Sequence, residues 1–322
     1  MVDIGRPVGL VLVLALVGCS ESSEGIPHGG GSTSTGGSGG QAGQGGGGGS
    51  GATGGSGGAG GVVPACVPET AVPIPAFATG DQLVTEPFVG IRVVHRTTQQ
   101  PRPLNYQVVQ ILPDAAGIGF KVSPQNGDGQ LETNHQTTRA YLEQEGAQLA
   151  INAHFFTPYP SPDLYANLSG IAASEGDAYS PFEGIHTFGF NLDPSNQPAV
   201  IIQAAGDTTG YTTEPPVTLH NTVGASEQIV TAGSNSADWP VNHPRTAIGV
   251  TESGVVVMIV VDGRQLGTTD GMTTTEVADI LIQDFGVVDA INLDGGGSST
   301  LAVADPTPRV ANTTPNGTER SV

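Results

Sequence analysis

The segment that decides the fold is residues 255–300, VVVMIVVDGRQLGTTDGMTTTEVADILIQDFGVVDAINLDGGGSST. Its first seven residues are apolar and mostly β-branched, which predicts a buried strand. Apolar residues at helical spacing then predict a helix from Thr274 to Phe285, and Gly286 ends it. Residues 287–293 predict a second strand, so the segment indicates a strand–helix–strand unit.

This unit predicts where two carboxylates lie. If its two strands are parallel, a crossover connection brings their C-terminal ends to one edge of the sheet. Asp262 directly follows the first strand and Asp294 the second. We therefore expect the two carboxylates to face a common crevice and to be the catalytic groups.

Asp294 opens a loop that reads DGGGSST. Three consecutive glycines cost backbone entropy, and they are useful where backbone N–H groups must approach an anion closely. We expect Gly295, Gly296, Gly297 and Ser298 to bind the substrate beside Asp294. The alternative is a tight loop in which Asp294 caps a turn.

Two arginines are candidates for binding a phosphate. Arg264 follows Asp262 in the sequence DGR, and Arg245 precedes a predicted strand at 246–251. The chain has only 10 Lys and Arg residues, so each arginine near a candidate site is informative. The alternatives are a turn with a surface ion pair for Asp262 and Arg264, and a solvated side chain for Arg245.

Three further side chains have both a functional and a structural interpretation. Asn152 and His154 follow a predicted buried strand at 149–152. Asn152 could bind a sugar hydroxyl or cap the strand end. His154 could contact substrate as a general base or be a structural histidine. Glu276 could be catalytic, but with Thr273 it also fits a helix capping box.

Composition excludes several functions. The net charge of −20 disfavours nucleic acid, which demands a basic face, and electrostatic docking on an anionic membrane. The chain has no P-loop, no HExxH and no CxxC motif. We predict no cofactor and no metal site, although a hard cation on Asp262 and Asp294 would be chemically feasible.

The N-terminal residues are typical of an exported lipoprotein. Residues 7–18 form an apolar run too short to span a membrane, and residues 16–19 read LVGC, which resembles a lipobox with Cys19 as the lipidated residue. By resemblance to lipoprotein sorting signals, Ser20 after the cysteine favours the outer membrane over retention in the inner membrane. Residues 20–65 are rich in Gly and Ser and predict a disordered linker. The signal peptide then covers residues 1–19, and the cell envelope is the predicted location.

The folded part is predicted to be one α+β domain, with a mixed β-sheet and a few helices. Residues 62–87 read as an irregular lead-in rich in Pro and Ala. Further strands are predicted at 89–95, 106–112, 119–122, 186–192, 199–204 and 246–251, and a short helix at 137–145.

The motifs taken in order resemble the phosphodiester glycosidase family over residues 81–322. The matching stretches are residues 150–156, 244–249, 262–264, 271–276 and 290–300. The resemblance implies hydrolysis of a sugar–phosphodiester at the anomeric carbon. Arg245, Arg264 and the glycine amides would bind the phosphate, Asp262 or Asp294 would act as base or nucleophile, and Asn152 would orient the sugar. The alternative is a non-catalytic lipoprotein that binds carbohydrate or polyphosphate on the cell envelope.

Overall fold

The computed structural model describes residues 8–14, 76–127, 129–159, 164–213 and 216–322. All of them belong to one compact unit of the chain. The predicted linker at 20–65 and the predicted lipidation site Cys19 lie outside the described residues. The prediction of a single α+β domain with few helices is confirmed.

Two α-helices and one short 3₁₀ helix accompany the strands in the described residues. The helices are α1 (Thr138–Glu145), α2 (Thr274–Phe285) and the 3₁₀ turn Gly296–Ser298. The strands are β1 (Val8–Leu14), β2 (Gly80–Phe88), β3 (Ile91–Thr98), β4 (Leu104–Ile111), β5 (Lys121–Val122), β6 (Thr133–Asn134), β7 (Leu149–Thr157), β8 (Tyr165–Ser169), β9 (Ala172–Ser174), β10 (Asp177–Ser180), β11 (Phe188–Leu192), β12 (Pro198–Gln203), β13 (Tyr211–Thr212), β14 (Asn221–Ala225), β15 (Glu227–Thr231), β16 (Ser234–Asn235), β17 (Arg245–Thr251), β18 (Val256–Val261), β19 (Val287–Asn292), β20 (Leu301–Ala304) and β21 (Pro308–Val310).

The strands form three sheets. The eight-stranded sheet has the order β16-β15-β19-β17-β18-β4-β3-β2, and the six-stranded sheet has the order β10-β9-β14-β11-β12-β13. The seven-stranded sheet has the order β21-β20-β7-β1-β5, with β8 and β6 joined to β7. Among the described strands, neighbours in every sheet pair antiparallel.

The eight-stranded sheet is central because both of its faces are buried. Ile248 and Met258 point into a cluster shared with Ile151 of the seven-stranded sheet and Phe190 of the six-stranded one. Their sequence neighbours alternate to the opposite face, where α2 packs with Val277, Leu281 and Phe285. Continuous apolar strands such as β18 are explained by this burial on two faces.

Both helices begin and end where the sequence predicts. The Thr137 side chain accepts a hydrogen bond from the Ala140 amide, and Gly146 ends α1 in the left-handed region at φ 64°. Helix α2 has a complete capping box between Thr273 and Glu276, and Gly286 ends it at φ 65°.

The prediction that residues up to Pro87 are irregular is wrong for the last part of that range. Residues 80–88 form β2, which pairs with β3 from Gly80 opposite Thr98 to Phe88 opposite Ile91. Most residues of β2 are exposed, so this edge strand lacks the apolar alternation by which a half-buried strand is recognised.

Part of the predicted signal-peptide core is also a strand. Residues Val8–Leu14 form β1, which pairs antiparallel with β7 from Val8 opposite Phe156 to Leu14 opposite Leu149. On its other side β1 pairs with β5, at Leu12 opposite Val122. Among the described helices, none is long and apolar enough to cross a membrane.

Candidate active site

The predicted common edge for the two carboxylates is present. Strands β18 and β19 flank β17, and both pair antiparallel with it, so they run parallel to each other. Asp262 and Asp294 therefore follow two parallel strands at the same edge of the sheet. Arg245, the first residue of β17, begins its strand at that edge as well.

Asn152 is the central residue beneath this edge. It is fully buried, and its Nδ2 donates to the carbonyl oxygen of Asp294 at 2.7 Å. Its Oδ1 accepts from the Thr246 hydroxyl at 2.7 Å and from the Thr300 amide at 3.1 Å. The Asp294 amide also donates to the carbonyl of Ala153 at 2.8 Å. Asn152 thus fixes the start and end of the glycine loop, which we define as residues 294–300.

Two guanidinium groups lie over the glycine loop. A Cβ added at Gly296 would lie 3.0 Å from both terminal nitrogens of Arg264. A Cβ added at Gly297 would lie 2.7 Å from Nη1 of Arg320. Glycine is required at Gly296 for a second reason, since its φ of 62° is rare for residues with a side chain. The loop therefore presents backbone and two cations on one surface, which suits an anion.

Arg264 reaches this position through an unusual backbone conformation. Its φ is 60°, in the left-handed region that non-glycine residues seldom adopt. Its Nη2 lies 3.3 Å from Nδ1 of His243, which is consistent with donation to a neutral imidazole. The preceding Gly263 packs so closely on Gly271 that an added Cβ would lie 2.8 Å from its Cα. Strained backbone of this kind is common at functional sites.

Arg320 holds the other side of the loop. Its guanidinium donates to the Ser298 hydroxyl and, at 3.2 Å, to the Tyr159 hydroxyl. It also stacks 4.9 Å from the centre of the Tyr159 ring, and its Nη2 lies 3.7 Å from Oδ2 of Asp294. The arrangement brings a carboxylate, a cation and the glycine loop together.

Asp262 lies in a closed polar environment. The residue is 1% exposed, and its carboxylate accepts from Nδ2 of Asn105 at 2.7 Å, from Nδ2 of Asn312 at 3.0 Å and from the Thr313 amide at 3.1 Å. Burial raises its pKa to about 6, and the hydrogen bonds oppose that rise. Both oxygens already have donors, so Asp262 fixes the turn that leads to Arg264.

Arg245 is buried and its contacts are structural. Its Nε donates to the carbonyl of Met272 at 3.0 Å and its Nη2 to the carbonyl of Val241 at 2.6 Å. Burial lowers its pKa to about 10; Glu227 opposes that change, and the nearby positive charge of Arg264 adds to it. Arg245 thus joins the segments around the edge and adds positive charge beneath it.

His154 and Glu276 have contacts that do not involve the glycine loop. The His154 ring is fully buried, with Nε2 at 3.0 Å from the carbonyl of Ile171 and 2.8 Å from the amide of Gly224. A protonated Nε2 donates to the carbonyl of Ile171, whereas an unprotonated Nε2 accepts from the amide of Gly224. Burial lowers the pKa of His154 to about 4. Glu276 binds both terminal nitrogens of Arg102, at 2.7 and 2.6 Å, in addition to its capping-box bonds.

Comparison with known proteins covers the part of the chain that contains these site residues. The model of the phosphodiester glycosidase family matches residues 145–322. The chain belongs to this family. The resemblance inferred from the motifs is therefore confirmed, and the family is one of glycosidase-type hydrolases.

Solved structures share the fold at low identity. The catalytic domain of zebrafish N-acetylglucosamine-1-phosphodiester α-N-acetylglucosaminidase, auto-inhibited by its pro-peptide, matches with a TM-score of 0.54 and 18% identity, over 73% of this chain and 81% of that one. A hypothetical protein from Synechocystis matches with a TM-score of 0.55 and 16% identity, over 76% and 63%. A protein from Burkholderia pseudomallei K96243 that is described as exported matches with a TM-score of 0.52 and 16% identity, over 68% and 72%.

A curated relative matches only a short stretch. The uncharacterized SPβ prophage-derived protein YomE of Bacillus subtilis strain 168 is 41% identical over 86 residues. The match covers 27% of this chain and 13% of YomE. The chain therefore spans a small part of that relative's length.

The positive charge of this family member is distributed in a way that favours the glycine loop. Five described cations form ion pairs with carboxylates elsewhere: Arg92 with Glu86, Arg96 with Asp284, Arg102 with Glu276, Lys121 with Glu145 and Arg139 with Glu143. Arg264 and Arg320 lie on the loop instead. Arg320 is not among the site residues predicted from the sequence, although the scarcity of basic residues is a signal that could have found it.

Among the described residues, no group of three or more His, Cys, Asp or Glu side chains is placed to hold a metal ion.

Proposed function

We propose that the protein hydrolyses a glycosyl-1-phosphodiester at the anomeric carbon. The observation that carries this proposal is the position of Arg264 and Arg320 over Gly296 and Gly297, beside Asp294. Guanidinium groups pair with phosphate oxygens in a planar, two-pronged geometry. A carboxylate beside a phosphate bound in this way is close to the anomeric carbon that is attached to the phosphate.

The proposed reaction breaks the bond between the anomeric carbon and the phosphate oxygen. Water supplies the new hydroxyl on the sugar, and the phosphate leaves as a monoester carrying the former bond's electron pair. Because two arginines offset the growing negative charge on the phosphate, the leaving group needs little help from a general acid. The carboxylate activates the water or attacks the carbon directly, as in other glycosidases.

The contacts favour Asp294 over Asp262 as the reacting carboxylate. Both carboxylate oxygens of Asp262 accept hydrogen bonds, from Asn105, Asn312 and Thr313. Asp294 lies at the glycine loop and pairs with Arg320, which faces the proposed phosphate position. Asn152 serves by holding the Asp294 backbone, rather than by contacting the sugar directly.

The test is release of free reducing sugar from a panel of glycosyl-1-phosphodiesters, including UDP-N-acetylglucosamine. We expect wild-type turnover and its loss in Asp294→Asn. Asp289→Asn is the matched control, since Asp289 lies on β19, the strand that precedes Asp294, and its contacts are with Gln228 and the Ala232 amide. Equal turnover in wild type and Asp294→Asn would refute the assignment. Saturable binding without turnover would instead identify a non-catalytic carbohydrate- or polyphosphate-binding protein.

We further propose that the protein is exported and attached to the cell envelope through lipid on Cys19, with no other membrane contact. The LVGC sequence and the exported structural relative support this. Cleavage before Cys19 would remove β1 and with it the ladder partner of β7 and β5. Mass spectrometry of the protein from its native envelope distinguishes a lipidated N-terminus at Cys19 from a chain that retains residues 8–14.

A further inference from the structure

A chain of hydrogen bonds connects Asp262 to a cavity that is lined by residues of β2, β3 and β4 and by the segment from Val303 to Ala311. Nδ2 of Asn105 lies 2.7 Å from Oδ2 of Asp262, and Oδ1 of Asn105 lies 2.6 Å from Nε2 of His95. Asn105 is on β4 and His95 on β3, so two neighbouring strands of the central sheet supply the chain. The Asp262 amide also donates to the carbonyl of Asn105 at 2.9 Å.

The direction of these bonds follows from their chemistry. An ionised carboxylate only accepts, so Asn105 must turn its NH₂ group toward Asp262. Its Oδ1 then faces His95 and must accept, which requires a proton on Nε2 of His95. The neutral imidazole is thus the Nε2–H tautomer, and a second proton would add at Nδ1 without breaking the chain.

His95 has access to solvent through a cavity of about 150 Å³. The charged groups that line this cavity with His95 are Asp305 and Arg309. The segment after them supplies Asn312 and Thr313, which bind the other side of Asp262. A positive charge on His95 favours the ionised form of Asp262, because opposite charges stabilise each other.

We propose that His95 and Asn105 are positioning residues that keep Asp262 as a carboxylate, so that the 262–264 turn holds Arg264 over the glycine loop. The proposal rests on the proposed function, in which Arg264 binds the phosphate. The Asp262 carboxylate accepts from two segments, β4 and the segment after β21, and two residues later the chain takes the left-handed conformation that places Arg264.

The experiment measures the titration of the Asp262 carboxyl by ¹³C NMR in the full chain, with Asp262→Asn to assign the signal. His95→Leu removes both the donor and the charge, whereas His95→Gln keeps a donor at the Nε2 position. We expect the titration midpoint to rise in His95→Leu and to rise less in His95→Gln. His220→Leu, in a different part of the fold, is the control and should leave it unchanged.

An unchanged midpoint in His95→Leu would overturn the proposal. If that variant does not fold, Asn105→Ser removes the amide between the two groups and should raise the midpoint in the same direction. Where the protein turns over, the acidic limb of kcat/KM should move with the midpoint, and His95→Gln should recover part of the loss. A wild-type protein without turnover would refute the proposed hydrolase, while the midpoints still decide the roles of His95 and Asn105.

Discussion

The raised pKa of Asp262 predicts a measurable pH dependence of stability. Its pKa is about 6 in the folded chain against a reference of 3.8, so the folded state binds this proton more tightly than the unfolded state. The proton on Asp262 therefore stabilises the folded state. This contribution is fully present below the pKa of the unfolded chain, and it is lost as the pH rises from about 4 to about 6. A shift of about two units corresponds to about 3 kcal/mol, which is an order-of-magnitude figure.

Asp262→Asn replaces the ionisable carboxyl group with an amide that does not titrate. It should therefore remove the part of the pH dependence of stability that comes from Asp262. Urea unfolding at intervals from pH 3.5 to pH 7.5 gives the free energy of unfolding of both proteins. As the pH rises across this range, we expect the free energy of unfolding of the variant to increase relative to that of wild type by up to about 3 kcal/mol. Asp81→Asn, on the exposed strand β2, controls for the loss of one negative charge. Parallel curves for Asp262→Asn and wild type would refute the reasoning, because they would mean that burial does not hold the proton on Asp262.

Two further substitutions test the loop and the helix cap. Gly297→Ala places a Cβ 2.7 Å from Nη1 of Arg320, whose flexible end can move aside, so we expect weaker substrate binding at nearly unchanged stability. In Gly295→Ala the Cβ would lie 2.6 Å from the carbonyl oxygen of Pro244, which cannot move aside, so we expect a lower melting temperature. A raised KM only in Gly295→Ala, with a lowered melting temperature only in Gly297→Ala, would contradict both expectations. Glu276→Gln should lower the free energy of unfolding by about 1 kcal/mol through the capping box and the Arg102 pair, with turnover retained; a large loss of turnover at unchanged stability would support a catalytic Glu276.

The sequence was most informative where local chemistry decides structure. The glycines at 146 and 286 adopt the left-handed conformation at the ends of both helices, and apolar spacing predicted the bounds of α2. The parallel course of β18 and β19 followed from the helix between them, so the common edge of Asp262 and Asp294 was predictable. The strand between them, β17, was predicted at 246–251, but no local pattern indicates that it pairs with β19.

The sequence was least informative about contacts between distant segments. Arg320 lies in a polar segment without apolar periodicity, and its contact with Ser298 and Tyr159 depends on the tertiary fold. The same holds for the donors of Asp262, which come from β4 and from the segment after β21. A pattern search can propose a carboxylate at a strand end, but it cannot tell whether its oxygens are already occupied.

The charge of the molecule bears on how such a site recognises its substrate. A net charge of −20 repels an anion at long range, yet salt screens exposed charges beyond about 8 Å at physiological ionic strength. Recognition then depends on groups in contact with the phosphate. Five other described cations pair with carboxylates away from the site, whereas Arg264 and Arg320 lie on the glycine loop, where Arg320 also pairs with Asp294 at 3.7 Å. A phosphodiester gains from both guanidiniums, and a neutral sugar gains from neither, so the arrangement favours the anionic substrate over unsubstituted carbohydrate.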